Sequence, residues 1–204
     1  IAPEITPGLS FAAVNGPGLC LVSGEVAAIV DLQSRLAARG IEAQRLAITV
    51  AAHSQMLDPI LGEFEAYLRK LRLSEPALPF VSNVTGTWIR ADEARDPTYW
   101  VRHLRHPVRF ADGLSTLTAE GGHALLEVGP GRTLTSLAQA HPTASANRLV
   151  VPSLRHPKDP MTDAEALLAA TGRLWAAGVD IDWNAFYGPG RRRVSLPTYS
   201  FDHE

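Results

Sequence analysis

The 204-residue sequence predicts an α/β fold with mostly parallel strand pairing. Three observations carry that reading. Short apolar runs alternate with segments of helical periodicity over the first 140 residues. Twice an aspartate followed by a proline, Asp58-Pro59 and Asp96-Pro97, marks a helix start as N-cap and first-turn proline. A buried run, Ala124–Val128, passes through Gly129-Pro130-Gly131 into another helical pattern, giving strand, turn and helix in one stretch.

The elements follow in order. Phe11–Asn15 and Leu19–Ser23, split by Gly16-Pro17-Gly18, read as a hairpin. Ser23 is expected to cap a helix in which Val26, Ile29, Val30 and Leu36 share a face, and Gly40 stops it. Gln44–Val50 alternates, with Leu46, Ile48 and Val50 on one face and Arg45, Ala47 and Thr49 on the other, so it reads as a strand. A loop, Ala51–Leu57, precedes the Asp58 helix, whose apolar stripe is Ile60, Phe64, Leu68 and Leu71. Leu78–Val84 reads as a short buried strand. A helix over Tyr99–Leu104 follows Asp96-Pro97, and another is expected over Pro107–Glu120. After Ala124–Val128 a helix runs through Leu134 and Leu137.

Beyond residue 141 the pattern changes. Leu149–Val151 is a short strand, and Pro152, Pro157 and Pro160 mark an extended segment. Thr162 and Glu165 form a capping box for a helix reaching about Ala177. Val179–Trp183 reads as a strand, Gly188–Arg193 as a loop, and Val194–Phe201, with Pro197, as extended chain without a regular sheet role.

Composition narrows the function. Hydrophobic residues are 46% and charged residues 20%, ordinary for a globular chain. Net charge is −2. Neither half has the basic excess of a nucleic-acid binder, so no nucleic-acid partner is expected. The one charge run, Arg191–Arg193, reads as a solvated loop. The single cysteine, Cys20, lies in Leu19-Cys20-Leu21-Val22 and reads as a buried inert thiol; one cysteine gives neither a disulfide nor a cysteine metal site within the chain. No stretch approaches the roughly 18 apolar residues of a membrane span, and residues 1–4 resemble no signal peptide. A cytoplasmic setting without membrane partners is expected.

For chemistry, His53 is the leading candidate. It follows a predicted strand and precedes a helix, at the sheet edge where α/β sites lie. Its small neighbours, Ala51, Ala52 and Ser54, leave access. The competing reading is a loop histidine bonded to backbone. Ser54 is a poor nucleophile for its own neighbour, since nucleophile and base converge through space. The G-x-S-x-G elbow is absent: Gly8-Leu9-Ser10 and Gly113-Leu114-Ser115 begin it, but Ala12 and Leu117 hold the last position. Glu127–Arg132 reads as a tight connection rather than a phosphate loop. His103 and His106, spaced i, i+3 without a third ligand, read as surface residues; no metal is expected.

Five motifs then occur in order: His53-Ser54-Gln55-Met56-Leu57-Asp58-Pro59, Phe80–Gly86, Tyr99-Trp100-Val101-Arg102-His103-Leu104-Arg105, Pro107-Val108-Arg109-Phe110, and Leu126–Gly131. With Ala13-Val14-Asn15-Gly16-Pro17 and Val22-Ser23-Gly24, they resemble the C-terminal part of the acyltransferase domain of a modular type I polyketide synthase. Val151–Arg155 through Leu196–Phe201 resembles the linker after that domain. The resemblance implies three regions: residues 1–50 as the end of a ferredoxin-like small subdomain, 51–145 as the C-terminal part of an α/β-hydrolase-like subdomain, and 146–204 as the linker.

The resemblance also implies a role for each matched residue. A serine in a G-H-S-x-G elbow takes an extender acyl group from coenzyme A and passes it to the phosphopantetheine thiol of an acyl carrier protein. His53 matches the general base, oriented by a backbone carbonyl near the Glu127–Pro130 segment rather than by a carboxylate. Asn15 matches an asparagine approaching the acyl pocket. Val50, Ala51 and Ala52 with His53 hold the specificity positions, which usually read Y-A-S-H for methylmalonyl or H-A-F-H for malonyl units. Neither pattern is present, and the small Ala52 points away from plain malonyl. The serine elbow, oxyanion glutamine and carboxylate-binding arginine lie upstream of residue 1 in the family. These residues are therefore expected to be a segment of a longer polypeptide, inactive alone, with no cofactor of their own. Acyl-CoA, the carrier protein and an adjacent ketosynthase are the expected partners. The alternatives are a docking segment, with Trp175, Trp183, Tyr199 and Phe201 as anchors, or a degenerate acyltransferase kept for architecture.

Overall fold

A computed structural model of the chain describes residues 2–122, 124–144, 148–192 and 194–199. Arg193, Ser200 and Phe201, named above, lie outside the described residues. The chain forms two compact units, residues 1–123 with 133–148, and residues 124–132 with 149–204.

The first unit opens with the expected hairpin. β1 (Leu9–Gly16) and β2 (Leu19–Gly24) pair antiparallel, from Leu9 opposite Gly24 to Gly16 opposite Leu19. The next helix, α1 (Val26–Ala38), takes Glu25 as its N-cap residue, not Ser23. Ser23 and Gly24 are still paired with Ser10 and Leu9, so the chain is not free to turn until after them. A Cβ on Gly24 would stand 2.3 Å from the Gly8 carbonyl oxygen, which explains glycine at that crossing. Leu32 and Leu36 of α1 pack with Leu9 as the core, and Gly40 ends the helix at φ +68°. Glu4 accepts from Arg35 at 2.6 Å and also pairs with Arg39, tying the N-terminal turn to α1.

Two strands expected in this unit do not form. Residues 44–50 have no ladder partner among the described residues, and Leu46, Ile48 and Val50 are exposed. Alternation makes an edge able to pair; only a neighbouring strand makes it a strand. At 78–84 only one antiparallel bridge, Val81 to Trp88, is made, and Leu78 is exposed. Here a side chain competes with the ladder: Ser82 Oγ accepts from the Val84 and Thr85 amides at 3.1 and 3.2 Å, folding the chain into a turn.

Helix α2 (Asp58–Leu68) buries Leu68 and packs on the helix over Pro97–Arg105, while Ile60 and Leu71 of the expected stripe stay exposed. Pro59 sits in the first turn, but Asp58 does not cap; its carboxylate pairs with Arg105. A short helix not expected from the sequence, α3 (Ala91–Arg95), precedes α4 (Pro97–Arg105). Asp96 does cap α4, accepting from the Thr98 amide at 2.9 Å. Tyr99 of α4 is fully buried, and its hydroxyl donates to Ser82 Oγ at 2.7 Å.

The helix expected from Pro107 begins later, as α5 (Phe110–Thr118). Val108 is held extended because its N–H donates to the Ala12 carbonyl at 2.9 Å and its carbonyl accepts from Val14 at 2.8 Å, a parallel bridge to β1. Helix α6 (Thr133–Ala140) completes this unit.

In the second unit β3 (Leu125–Glu127) and β4 (Val150–Pro152) pair in parallel. The sequence predicted burial at 124–128; instead Leu126 and Val128 are exposed, while Val151 of β4 is fully buried. Among the described residues the parallel pairing is thus this pair and the Val108 bridge. Helix α7 (Asp163–Ala176) starts at the expected capping box: Thr162 Oγ1 accepts from the Glu165 amide at 3.2 Å, and the Glu165 carboxylate accepts from the Thr162 amide at 2.7 Å. Val179–Trp183 is not a strand. Asp182 accepts from the Ala185 amide at 2.9 Å and opens α8 (Trp183–Tyr187) instead. Trp175, Trp183, Phe186 and Tyr187 form a ring cluster, and the Arg191 guanidinium lies 5.4 Å from the Tyr187 ring, so Arg191 is a packed cation rather than a purely solvated one.

Candidate active site

The site is built on a loop, a helix end and a strand end of the first unit. Residues 51–57 form a tight turn whose centre is His53, at φ +55°. Ser54, fully buried, donates its hydroxyl to the Ala51 carbonyl at 2.6 Å and accepts from the Met56 amide at 3.2 Å. The Gln55 amide donates to Ser10 Oγ of β1 at 3.3 Å, tying the turn to the hairpin.

The imidazole of His53 is aimed by α4. His53 Nδ1 lies 2.8 Å from the His106 carbonyl oxygen. A carbonyl only accepts, so Nδ1 carries a hydrogen, and in the neutral ring the lone pair is then on Nε2. The resemblance put this carbonyl near Glu127–Pro130; it belongs to His106. The sequence does hold a signal for it. Pro107 forbids its predecessor the helical conformation, and His106 takes φ −90°, ψ +160° at the end of α4. Its carbonyl has left the helical ladder and is free to accept from another element.

His103, one turn back on α4, is half-buried rather than free on the surface. Its ring packs between Tyr99, Trp100 and His53, with the His53 centroid 6.4 Å away and the planes at 73°. Burial, and then the neighbouring His53, hold His103 below the ordinary histidine range. His106 is exposed and contributes its backbone. Among the described residues no cluster of His, Cys, Asp and Glu gathers as a metal site.

His141, which the sequence did not single out, makes a useful contrast. It is buried; Nε2 donates to the Ala111 carbonyl at 3.0 Å, and Nδ1 accepts from the Thr143 amide at 3.2 Å. Both ring nitrogens are used, so it has no lone pair for a substrate. It lines a cavity of about 260 Å³ with Val14, Gly16, Ser115 and Thr143.

The remaining candidates are dispersed around the turn. Asn15, half-buried on β1, follows Val14, whose amide bonds Val108, two residues past the carbonyl that holds His53. Val50 is exposed, and Ala51 and Ala52 are half-buried immediately before His53. Cys20 is a free, half-buried thiol whose titration burial pushes up, in keeping with an inert role. The Gly129 amide donates to Ser153 Oγ at 3.2 Å and the Gly131 amide to the Arg155 carbonyl at 3.4 Å, so this loop spends its N–H groups on its own unit, as a tight connection does.

Comparison with known proteins gives the family. A phenolphthiocerol/phthiocerol polyketide synthase of Mycobacterium tuberculosis is 39% identical over 201 residues, covering 98% of this chain and 14% of that protein. The spectinabilin polyketide synthase system protein NorB of Streptomyces orinoci is 38% identical over 95% of this chain and 9% of its own. Among solved structures, the acyl transferase domain of SpnD in complex with 2-(pent-4-yn-1-yl)malonyl superposes with a TM-score of 0.83 at 44% identity, covering 87% of this chain and 43% of that one. The acyltransferase domain from the second module of the salinomycin polyketide synthase gives 0.84 at 39% identity, covering 96% and 46%. The chain therefore spans a small part of its curated relatives and less than half of these solved domains. The family described as "Acyl transferase domain" matches residues 2–180, and the chain belongs to it.

Proposed function

We propose that this chain supplies the general base of a polyketide synthase acyltransferase, and that His53 is that base. The single observation that carries the reading is the bond from His53 Nδ1–H to the His106 carbonyl, which fixes the tautomer and leaves Nε2 as a lone-pair acceptor. Support comes also from family membership and from the contrast with His141, whose nitrogens are both engaged.

The chemistry runs in two halves. His53 Nε2 takes the proton of a serine hydroxyl as that oxygen attacks the thioester carbonyl of an acyl-CoA. The carbon–sulfur bond breaks, and the imidazolium returns its proton to the leaving thiolate. In the second half Nε2 takes the proton of a carrier-protein phosphopantetheine thiol as its sulfur attacks the acyl-serine. The serine oxygen leaves with the proton. The His106 carbonyl stabilises the imidazolium in both halves through the Nδ1–H bond. The serine is not in these 204 residues, so this segment alone carries no transfer activity in our reading. Coenzyme A and phosphopantetheine arrive with substrate and partner, in a cytoplasmic setting, and the chain holds no cofactor of its own. An adjacent ketosynthase would meet residues 146–204.

For the acyl group, we assign Asn15, Val50, Ala51 and Ala52 to the pocket wall and favour an α-substituted malonyl unit over malonyl. The small Ala52 supports this, as does the SpnD domain's complex with 2-(pent-4-yn-1-yl)malonyl, a 2-substituted unit. Two assays on the complete domain test the reading. His53→Ala should cut acyl transfer about 10²–10⁴-fold, and an unchanged rate would refute the base assignment. Hydrolysis of malonyl-, methylmalonyl- and ethylmalonyl-CoA should favour the substituted units, and a strong malonyl preference would refute the pocket assignment.

A further inference from the structure

His53 is the only non-glycine residue with positive φ among the described residues, at +55°. Any residue with a Cβ meets a steric penalty there, so a loop left to itself would relax and carry the imidazole away from its acceptor. Something must hold the backbone. The neighbour's side chain is placed to do so. Ser54 is fully buried and sits in extended backbone at φ −134°, ψ +167°. Its one hydroxyl reaches both ways across His53: it donates to the Ala51 carbonyl at 2.6 Å and accepts from the Met56 amide at 3.2 Å. The Ser54 carbonyl then accepts from the Leu57 amide at 3.1 Å, closing the turn.

We propose that Ser54 is a positioning residue for His53, its hydroxyl holding the left-handed turn that keeps His53 Nδ1 on the His106 carbonyl. The inference rests on the reading of His53 as the base. Ser54 itself meets no substrate, since none of its surface is exposed and its hydroxyl hydrogen is committed to Ala51. Alanine at 54 would leave the Ala51 carbonyl and the Met56 amide without this partner, and the turn would sample conformations in which the imidazole is displaced. A misplacement of about 1 Å at a catalytic group can cost about 10²-fold in rate.

The test uses the complete acyltransferase domain containing this chain. Ser54→Ala, and Ser54→Cys as a variant of similar size with a weak hydrogen-bonding group, should lower kcat for acyl-CoA hydrolysis by about 10–100-fold. KM should change less than kcat, because Ser54 itself meets no substrate. Ser54→Thr, which keeps the hydroxyl, should restore most of kcat. Nitrogen-15 NMR of the His53 ring gives a readout independent of turnover. The wild type should show the Nδ1–H tautomer, and the alanine and cysteine variants a mixture with Nε2–H. Should Ser54→Ala fail to fold, Ser54→Cys decides by both readouts. Wild-type kcat and tautomer in the cysteine variant, beside a dead His53→Ala, would overturn the role of Ser54 alone. An active His53→Ala would overturn the base assignment instead.

Discussion

Replacing Ser82 tests how α4, and with it the His106 carbonyl, is anchored. Ser82→Ala removes an oxygen that receives three hydrogen bonds, from the Tyr99 hydroxyl at 2.7 Å and the Val84 and Thr85 amides at 3.1 and 3.2 Å. Tyr99 is 1% exposed, so its hydroxyl cannot turn to water, and an orphaned buried donor costs about 1–3 kcal/mol. Val84 and Thr85 are half-buried and recover part of their bonding from solvent, leaving about 0.5 kcal/mol each. The expected loss is about 2–4 kcal/mol. Tyr99→Phe is milder, because Ser82 keeps two donors and one neutral bond is worth about 0.5–1.5 kcal/mol. The double variant has no orphaned hydroxyl, so it should cost about 1 kcal/mol less than the sum of the singles. Thermal unfolding followed by circular dichroism reads this directly. At about 2–4 °C per kcal/mol for a chain of this size, Ser82→Ala should melt about 4–16 °C lower and Tyr99→Phe about 1–6 °C lower. Equal losses in the two single variants, or strict additivity in the double, would refute the reasoning.

Three further outcomes are expected. His103 is held below the ordinary histidine value of 6.5, by burial first and His53 second, so the unfolded chain binds that proton more readily. Its contribution to stability is present above about pH 6.5 and is lost as pH falls through that value toward the folded one; His103→Phe should flatten this part of the pH–stability curve, and an unchanged slope would count against it. Gly86 has φ +72° and its Cβ would stand 2.5 Å from Asp112 Cβ, whereas Gly40, at φ +68°, has open space. Gly86→Ala should therefore cost about 2–4 kcal/mol and Gly40→Ala only about 1–2 kcal/mol in denaturant unfolding, and equal costs would remove the steric argument. Thr162→Ala should cost about 1 kcal/mol through the lost cap of α7, with Thr162→Ser close to wild type; amide exchange in the first turn of α7 would show it.

What the sequence made legible follows the range of the interaction that decides each element. The hairpin, the body of α1, the Asp96 cap and the Thr162–Glu165 box depend on residues a few positions apart, and all formed as read. The errors arose where a local side chain or a distant partner prevailed, or, at residues 44–50, where no neighbouring strand pairs among the described residues. Asp182 captured the Ala185 amide and made a helix of a β-like run, and Ser82 captured two amides and made a turn of another. Asp58 had a cap's position but a stronger claim from Arg105, 47 positions away, which no local rule reveals.

The same distinction separates the two halves of the His53–His106 pair. His53 is a side chain, and its motif identifies it from the sequence. Its acceptor is a backbone carbonyl, a group every residue possesses, so no residue type marks it. The mark is conformational: a carbonyl becomes available only where the helical ladder has ended, and Pro107 ends α4 at His106. His103 and Tyr99 lie on the same short helix that His106 ends, so the element that presents the acceptor also packs a ring against His53. An orienting carboxylate would be a second titrating charge beside the imidazole, whereas a carbonyl gives direction through one bond and keeps its neutrality as the proton comes and goes. The His53 imidazole is then aimed by main-chain geometry, and that geometry depends on buried anchors, Ser54 under the turn and Ser82 with Tyr99 under α4.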